Sequence, residues 1–250
     1  MSKINTVKNT SGKELYNYQK IAIEEIFQRF DTAAEDYHLL YQLPTGGGKT
    51  VIFSEIVRRY ISKFNKKVLV LTHRIELSKQ TSNMLGEFGV PNKIINSTAN
   101  LDDQDNYHCF VAMVETLKNR LTDDKLDISD IGLVIVDEAH YNSFTKIFKF
   151  FDESFILGVT ATPLSSNIKL PMYENYKELY VGETIEHLIE NHYLASANMY
   201  SYNVGLTSLE VGANGDYTVK SSEDLYTNVD MLSKLVSAYE ETSKGKKTLI

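Results

Sequence analysis

The chain has 250 residues, of which 42% are hydrophobic and 24% are charged, as in a soluble globular protein with one large or two modest domains. No apolar run approaches the roughly 18 residues of a membrane span, and the first residues lack the apolar core of a signal peptide, so we expect a cytoplasmic chain without membrane contact. The single cysteine, Cys109, excludes an internal disulfide and is predicted to be a buried structural thiol.

Apolar periodicity predicts alternating helices and strands along the chain. Ser11 and Glu14 have the spacing of a capping box ahead of a first helix that runs to Phe30. Further helices are predicted over residues 51–64 and 75–88, and strands over residues 39–42, 67–72, 93–96, 109–114, 133–136 and 156–160. Short apolar strands separated by helices imply an α/β fold, a mostly parallel sheet with helices on both faces.

The last part of the chain is less regular. Residues 214–216 read Asn-Gly-Asp and predict a hairpin turn, whereas residues 220–230 are polar and aperiodic. Residues 231–242 again have helical periodicity, and residues 247–250 predict the beginning of a strand.

A glycine-rich segment follows the first predicted strand at residues 44–50, which read PTGGGKT. In such a turn, the backbone N–H groups of residues such as Thr45, Gly46, Gly47 and Gly48 converge on phosphate oxygens, and the next helix adds its N-terminal dipole. The segment departs from the usual P-loop pattern because Leu43 stands at the position of the first glycine. A plain glycine-rich turn before an amphipathic helix is the alternative, but the order of strand, GGGKT and helix favours a P-loop.

Two P-loop residues have distinct expected roles. The Lys49 ammonium would reach the β- and γ-phosphates of a nucleoside triphosphate, and the Thr50 hydroxyl would ligate Mg²⁺. A second short motif, residues 137–140, reads DEAH and follows another apolar strand. It supplies a carboxylate for the metal, Asp137, and a candidate general base, Glu138. Both motifs come directly after strand ends, where parallel sheets bind ligands.

These segments resemble the motifs of superfamily 2 helicases and translocases over nearly the whole chain. Residues 43–50 resemble motif I and residues 137–140 resemble motif II in its DEAH form. Residues 69–77 with Gln80, residues 111–117 and residues 160–163 are similar to motifs Ia, Ib and III, and residues 15–19 resemble the upstream glutamine element. The resemblance implies a RecA-like P-loop NTPase domain that uses ATP and Mg²⁺ and acts on nucleic acid.

The resemblance also implies roles for residues around the nucleotide. Gln19 should read the adenine edge and select ATP, although it could instead be a polar residue on a solvated helix face. His140, Thr160 and Thr162 should link the nucleotide state to the nucleic-acid site, and for His140 the alternative is a merely packed histidine.

Two further residues should contact the nucleic-acid backbone, namely Arg74 and Thr116. Phosphate contacts of this kind position a strand without reading its sequence. Thr116 could also be a helix N-cap, and the two roles are compatible. Residues 1–100 carry 14 basic against 9 acidic side chains, and residues 101–250 carry 12 against 24, so a local basic face is possible despite the net charge of −7.

The resemblance divides the chain into a first RecA-like domain over residues 1–198, a linker or extension over 199–230 and the start of a second RecA-like domain over 231–250. The family also uses arginine fingers from its second domain, whereas all five arginines here lie upstream of the DEAH motif. We therefore expect ATP binding with slow hydrolysis until a second domain completes the site. The lack of second-domain arginines is expected both for an excerpt of a longer protein and for one half of a split gene, and the excerpt is favoured.

Three functions remain open from the sequence. The GGGKT loop, the DEAH box and the THR-x-EL segment resemble the DNA-repair and restriction branches, which favours a DNA helicase or translocase. An RNA helicase would use the same chemistry on another strand. A non-motor ATP-binding module is the third interpretation.

Overall fold

The computed structural model describes residues 14–33, 36–99, 103–122, 130–167, 169–202, 206–212 and 216–248. The chain divides into two compact units, Met1–Ala195 and Ser196–Ile250, and each is described by itself. Ser11 of the predicted capping box, residues 214–215 of the predicted turn and residues 249–250 of the last predicted strand lie outside the described residues.

The first unit alternates helices and strands in the order that the apolar periodicity predicts. Its elements are α1 (Asn17–Thr32), β1 (His38–Gln42), α2 (Lys49–Phe64), β2 (Lys67–Thr72), α3 (Ile75–Glu87), β3 (Asn92–Ile95), β4 (Cys109–Met113), α4 (Val114–Thr122), β5 (Ile131–Asp137), α5 (Thr145–Phe148), β6 (Phe155–Thr160), β7 (Glu178–Val181) and α6 (Ile185–Glu190).

The seven strands form one sheet with the order β3-β4-β2-β5-β6-β1-β7, and every pairing is parallel. Consequently all strands have their carboxyl ends at the same edge of the sheet. Strand β2 lies between β4 and β5, with Thr72 opposite Met113 and Leu71 opposite Val136. The segments that follow β2, β4 and β5 therefore begin side by side.

Side chains of the central strands alternate between two hydrophobic cores. In β2, Val68 and Val70 pack in the core that contains residues of α1, α2 and α3, whereas Leu69 and Leu71 pack in the core that contains residues of α4 and α5. A parallel sheet that is buried on both faces requires such near-continuous apolar strands. The predicted α/β fold with helices on both faces is confirmed. Cys109 lies fully buried in β4, where burial raises the pKa of its thiol.

Two elements of the first unit differ from the prediction. Helix α1 begins at Asn17, after the predicted capping box, because the backbone N–H of Tyr16 donates to Gln19 Oε1 at 3.0 Å and closes the first turn there. Strand β7 was not predicted, since it lies at the edge of the sheet and its buried fraction alternates along only four residues. It nevertheless pairs with β1 from Leu39 to Gln42.

The second unit contains helices α7 (Val219–Tyr226) and α8 (Val229–Thr242). The aperiodic interpretation of residues 220–230 was wrong, because the Thr218 side chain accepts from the Ser221 N–H and starts a helix in this polar segment. The predicted helix at 231–242 is confirmed and begins slightly earlier, with Asn228 as its N-cap. Lys247 and Thr248 are not in a strand. In the described part of the chain, no helix is long and apolar enough to cross a membrane.

Candidate functional site

The GGGKT segment forms a tight turn between β1 and α2. The Gly47 N–H donates to the Pro44 carbonyl at 3.0 Å, and Gly48 is the N-cap of α2 with φ of +83°. Lys49 and Thr50 are the first residues of that helix, and the Lys49 ammonium lies 3.4 Å from the Leu43 carbonyl oxygen. The first N–H groups of a helix have no acceptor within the helix, so this turn presents donors and a cation to one point.

Two glycines of the P-loop leave no room for a side chain. Gly46 has φ of +84°, and a Cβ there would lie 2.7 Å from Leu194 Cδ2. A Cβ at Gly48 would lie 2.6 Å from Gln19 Nε2. Both residues need glycine because of their left-handed backbone and because of these close neighbours. The chain thus forms a tight glycine turn between β1 and α2, as the sequence predicts, without a glycine at position 43.

Gln19 lies behind the P-loop rather than on a solvated helix face. It is only 4% exposed, its Oε1 accepts the Tyr16 N–H, and its Nε2 is 3.4 Å from the Tyr18 hydroxyl. The alternative of a polar residue in solvent is therefore wrong. The neighbouring Tyr18 was not predicted to have a role at this site, but its hydroxyl donates to the Gly47 carbonyl at 2.7 Å. The sequence signal for this residue is its place next to Gln19.

Asp137 and Glu138 follow the end of β5. The Asp137 carboxylate is 7% exposed and accepts the Glu138 N–H at 3.0 Å. Burial, followed by the Glu138 charge, raises the pKa of Asp137 to about 6, while Lys49 acts in the opposite direction. No described basic group lies within salt-bridge distance of this carboxylate. A buried anion with this surplus of negative charge fits a divalent cation.

His140 joins the DEAH turn to the end of β6. Its Nδ1 lies 3.0 Å from Thr160 Oγ1 and 3.5 Å from Glu138 Oε2. Thr160 Oγ1 in turn donates to the Thr162 carbonyl at 3.0 Å and accepts the Thr162 N–H at 3.1 Å. The structure therefore brings the three predicted coupling residues together, and they are connected by hydrogen bonds.

Arg74 and Thr116 follow the ends of the neighbouring strands β2 and β4. Arg74 is the exposed N-cap residue of α3, and Thr116 lies in the first turn of α4. Because α4 begins at Val114, the alternative of Thr116 as the N-cap is wrong. Both residues lie at the carboxyl edge of the sheet.

The other four arginines are engaged within the fold. Arg29 pairs with Glu178, and Arg58 and Arg59 both pair with Glu55. Arg120 donates to the carbonyls of residues 96, 97 and 99. Of the five guanidinium groups, all of which lie in the described ranges, only that of Arg74 makes no hydrogen bond or ion pair with another described residue.

A cleft of about 550 Å³ is lined by some of these groups. Its lining includes Thr45 of the P-loop, Glu138 and His140 of the DEAH turn, Arg74 and Thr162. An apolar groove of about 630 Å³ beside β7 is larger, but its lining includes no P-loop residue, so we do not assign the nucleotide to it.

Comparison with known families identifies this arrangement. The family model described as "Type III restriction enzyme, res subunit" matches residues 12–165, which include the P-loop, the DEAH turn and the Thr160–Thr162 segment. The chain belongs to this family. It contains the N-terminal RecA-like domain of a superfamily 2 helicase.

Individual relatives of this helicase domain agree with the assignment. A 51.5 kDa protein of a Lactococcus phage (isolate 7-9) is 30% identical over 215 residues, which cover 84% of this chain and 43% of that protein. ATP-dependent DNA helicase MPH1 of Saccharomyces cerevisiae is 32% identical over 145 residues, which cover 50% of this chain and 14% of MPH1. The match to this chain thus spans less than half of either relative.

A solved structure shows the same fold. It is a nuclease-deletion mutant of the type ISP restriction-modification enzyme LlaGI in complex with a DNA substrate mimic. Its TM-score is 0.57 at 19% identity, and the match covers 72% of this chain and 21% of that chain. At this identity the likeness concerns the fold alone.

Proposed function

We propose that this chain is the ATP-binding half of a DNA-dependent motor ATPase, which hydrolyses ATP to ADP and phosphate when a second RecA-like domain completes the site. The observation that carries the proposal is the shared cleft, whose lining joins the P-loop, Glu138 and Arg74. A nucleotide at the P-loop and a nucleic-acid strand at Arg74 would therefore both lie against this cleft.

The residues have separate roles in this proposal. Lys49 neutralises charge on the γ-phosphate, and Gln19 presents its Nε2 to the adenine edge. Glu138 orients the attacking water and accepts its proton on a carboxylate oxygen. Thr50 and Asp137 would hold Mg²⁺, which supplies charge neutralisation at the phosphate oxygens when it is bound.

The second RecA-like domain is part of the same proposal. Four of the five arginines are bonded within the described fold and Arg74 stands at the predicted strand site, so a finger that stabilises the transition state has to come from elsewhere. Such a finger contributes roughly 10³–10⁵ in turnover. We expect it from the domain that the predicted boundaries place from residue 231 onward.

The choice of DNA rests on the motif spelling and on the MPH1 relative, which is named as a DNA helicase. Arg74 and Thr116 would contact phosphates, which DNA and RNA share, so the described site by itself does not select a strand type. An RNA helicase and a non-motor ATP-binding module are the outcomes against which the proposal is tested.

The experiment measures ATP turnover by the full-length gene product with single-stranded DNA, duplex DNA, RNA or no nucleic acid. Stimulation by DNA alone supports the proposal, stimulation by RNA alone supports an RNA helicase, and ATP binding without stimulation supports the module. Lys49→Ala and Glu138→Gln are the matched controls. Glu138→Gln should still bind ATP with turnover reduced at least about 10²-fold, the lower end for a general base. Equal turnover by Lys49→Ala and the unaltered protein would contradict the site assignment.

A further inference from the structure

We infer that Tyr141 is a positioning residue. It transmits the binding of a nucleic-acid strand at Arg74, which we call the strand site, to the side chain of Glu138. This inference rests on the proposed function, since it concerns how its two sites communicate. The sequence motifs assign no role to Tyr141 or to its neighbour in space, His73.

Three aromatic rings form a continuous stack in the cleft. The Tyr141 ring centroid lies 4.4 Å from that of His73 with an interplanar angle of 29°, and 4.3 Å from that of His140 with an angle of 37°. We call His73, Tyr141 and His140 the ring stack. The His73–Tyr141 pair is stacked and the His140–Tyr141 pair is tilted, and at these distances a shift of the middle ring would disturb both neighbours.

One end of the ring stack adjoins the strand site. His73 directly precedes Arg74 in the chain, at the junction of β2 and α3. The His73 Nδ1 atom is buried and has no hydrogen-bond partner among the described residues. The ring contact with Tyr141 is therefore the described interaction that fixes the orientation of this imidazole. A phosphate that shifts the Arg74 backbone would shift the His73 ring with it.

The other end of the ring stack reaches the candidate general base. His140 Nδ1 lies 3.5 Å from Glu138 Oε2 and 3.0 Å from Thr160 Oγ1. Tyr141 acts on Glu138 by a second route as well, because its N–H donates to the Glu138 carbonyl at 3.1 Å. This bond closes a turn in which Glu138 has a left-handed backbone with φ of +52°. A displaced Tyr141 would therefore reorient Glu138 through both its side chain and its backbone.

The strand order makes this connection short. Strands β2 and β5 are paired neighbours, so the residues after Thr72 and after Asp137 leave the sheet side by side. The Ala139 N–H donates to the Val159 carbonyl at 3.0 Å and anchors the turn to β6, whereas Tyr141 itself is 36% exposed at the cleft. Tyr141 is thus the ring of the turn that is open to a nucleic-acid strand in the cleft.

A binding experiment tests this coupling without relying on turnover. The affinity of the full-length protein for a fluorescent single-stranded DNA is measured with and without a non-hydrolysable ATP analogue, and the ratio is the coupling factor. Because coupling is reciprocal, the same factor describes the effect of DNA on the affinity for the analogue. Tyr141→Leu, which keeps apolar volume but removes the ring, should reduce the coupling factor at least about fivefold. Tyr141→Phe should retain it.

A double-mutant cycle assigns the effect to the stack. His73→Ala should lower the coupling factor as Tyr141→Leu does, and the double variant should show no further loss, because both changes break the same contact. Tyr173→Ala is the matched control, since Tyr173 is 79% exposed and is not a lining residue of the cleft.

The inference and the proposed function fail in different ways. If the unaltered protein shows coupling and Tyr141→Leu retains it within twofold, or if Tyr173→Ala reduces it equally, the role of Tyr141 is wrong and the proposed function stands. If the unaltered protein binds the ATP analogue but no nucleic acid, the proposed function itself is wrong.

Discussion

The Tyr18 hydroxyl donates a buried hydrogen bond of 2.7 Å to the carbonyl oxygen of Gly47, which is 29 positions further along the chain. The bond ties the first turn of α1 to the middle of the P-loop. Because the Gly47 N–H is held by Pro44, this glycine has both of its backbone polar groups engaged. The P-loop turn is therefore held by one contact within its motif and one from outside it, and this would lower the entropic cost of nucleotide binding.

Tyr18→Phe should weaken ATP binding by about 1 kcal/mol, or about fivefold in Kd, since it removes one hydrogen bond and leaves the Gly47 carbonyl buried. Titration calorimetry with a non-hydrolysable ATP analogue measures the change. Tyr193→Phe is the matched control, because Tyr193 packs against the Tyr18 ring at 5.0 Å and its hydroxyl has no hydrogen bond to a described residue. Equal losses in both variants would contradict the role of the Tyr18 hydroxyl.

Two glycine-to-alanine substitutions should have contrasting effects, one on ATP binding and the other on the free energy of unfolding. Gly48→Ala should abolish ATP binding, because the left-handed backbone strains and the new Cβ would meet Gln19 Nε2. Gly86→Ala should instead raise the free energy of unfolding by about 0.5 kcal/mol, since Gly86 lies in α3 and a Cβ added to it would have no neighbouring atom within 4 Å. Urea denaturation and calorimetry of both variants check the pair. Retained ATP affinity in Gly48→Ala would show that the cradle tolerates a shift.

Arg74→Ala should weaken nucleic-acid binding and reduce the salt dependence of log Kd by about 1, as expected for the loss of one phosphate contact. The physical reason is that the Arg74 guanidinium is exposed and has no described partner, so it is available to a phosphate. Fluorescence anisotropy with DNA at several salt concentrations measures the slope. Lys79→Ala removes the same charge from a later turn of α3. An identical change in slope in this variant would show that the effect of Arg74→Ala comes from the net charge and not from a phosphate contact at Arg74.

The pH dependence of stability should report the ion pair that joins β7 to α1. The Arg29 guanidinium donates to Glu178 at 2.6 Å, the Tyr37 hydroxyl donates to the other carboxylate oxygen at 2.6 Å, and these bonds, the Arg29 bond first, lower the pKa of Glu178. A carboxyl with a lowered folded-state pKa stabilises the fold above its unfolded value of 4.5, and this contribution is lost as the pH falls through the lower folded value.

Glu178→Gln should therefore lower the free energy of unfolding at pH 7 by up to about 1 kcal/mol and make it less sensitive to acid below pH 4.5. Chemical denaturation at pH 7 and pH 3.5 measures the difference. Glu25→Gln is the control, because Glu25 also pairs with Arg29 but from a more exposed position. An unchanged pH dependence in Glu178→Gln would contradict the assigned shift.

The core of the fold could be predicted because its signals are local. Each of the six predicted strands is a short apolar run that ends at a turn, and five of the seven strands carry buried positions along nearly their whole length. Strand β7 escaped prediction because an edge strand buries only alternate residues, and four residues are too few for a pattern. Helix α7 was not predicted, because its start depends on the Thr218 cap rather than on an apolar stripe.

The chemistry proposed for this protein could be predicted from the sequence, because the P-loop and the DEAH turn are contiguous segments whose residue types and spacing are typical of phosphate and metal binding. The sequence also placed Arg74 and Thr116 after strands. Only the tertiary structure decided which strands are neighbours. The order β4-β2-β5 opens Arg74 and Glu138 onto one cleft, packs Tyr141 between His73 and His140, and α1 brings Tyr18 to Gly47. Apolar periodicity specifies that a strand is buried but not which strand lies beside it, so these contacts between distant residues could not be read from the chain.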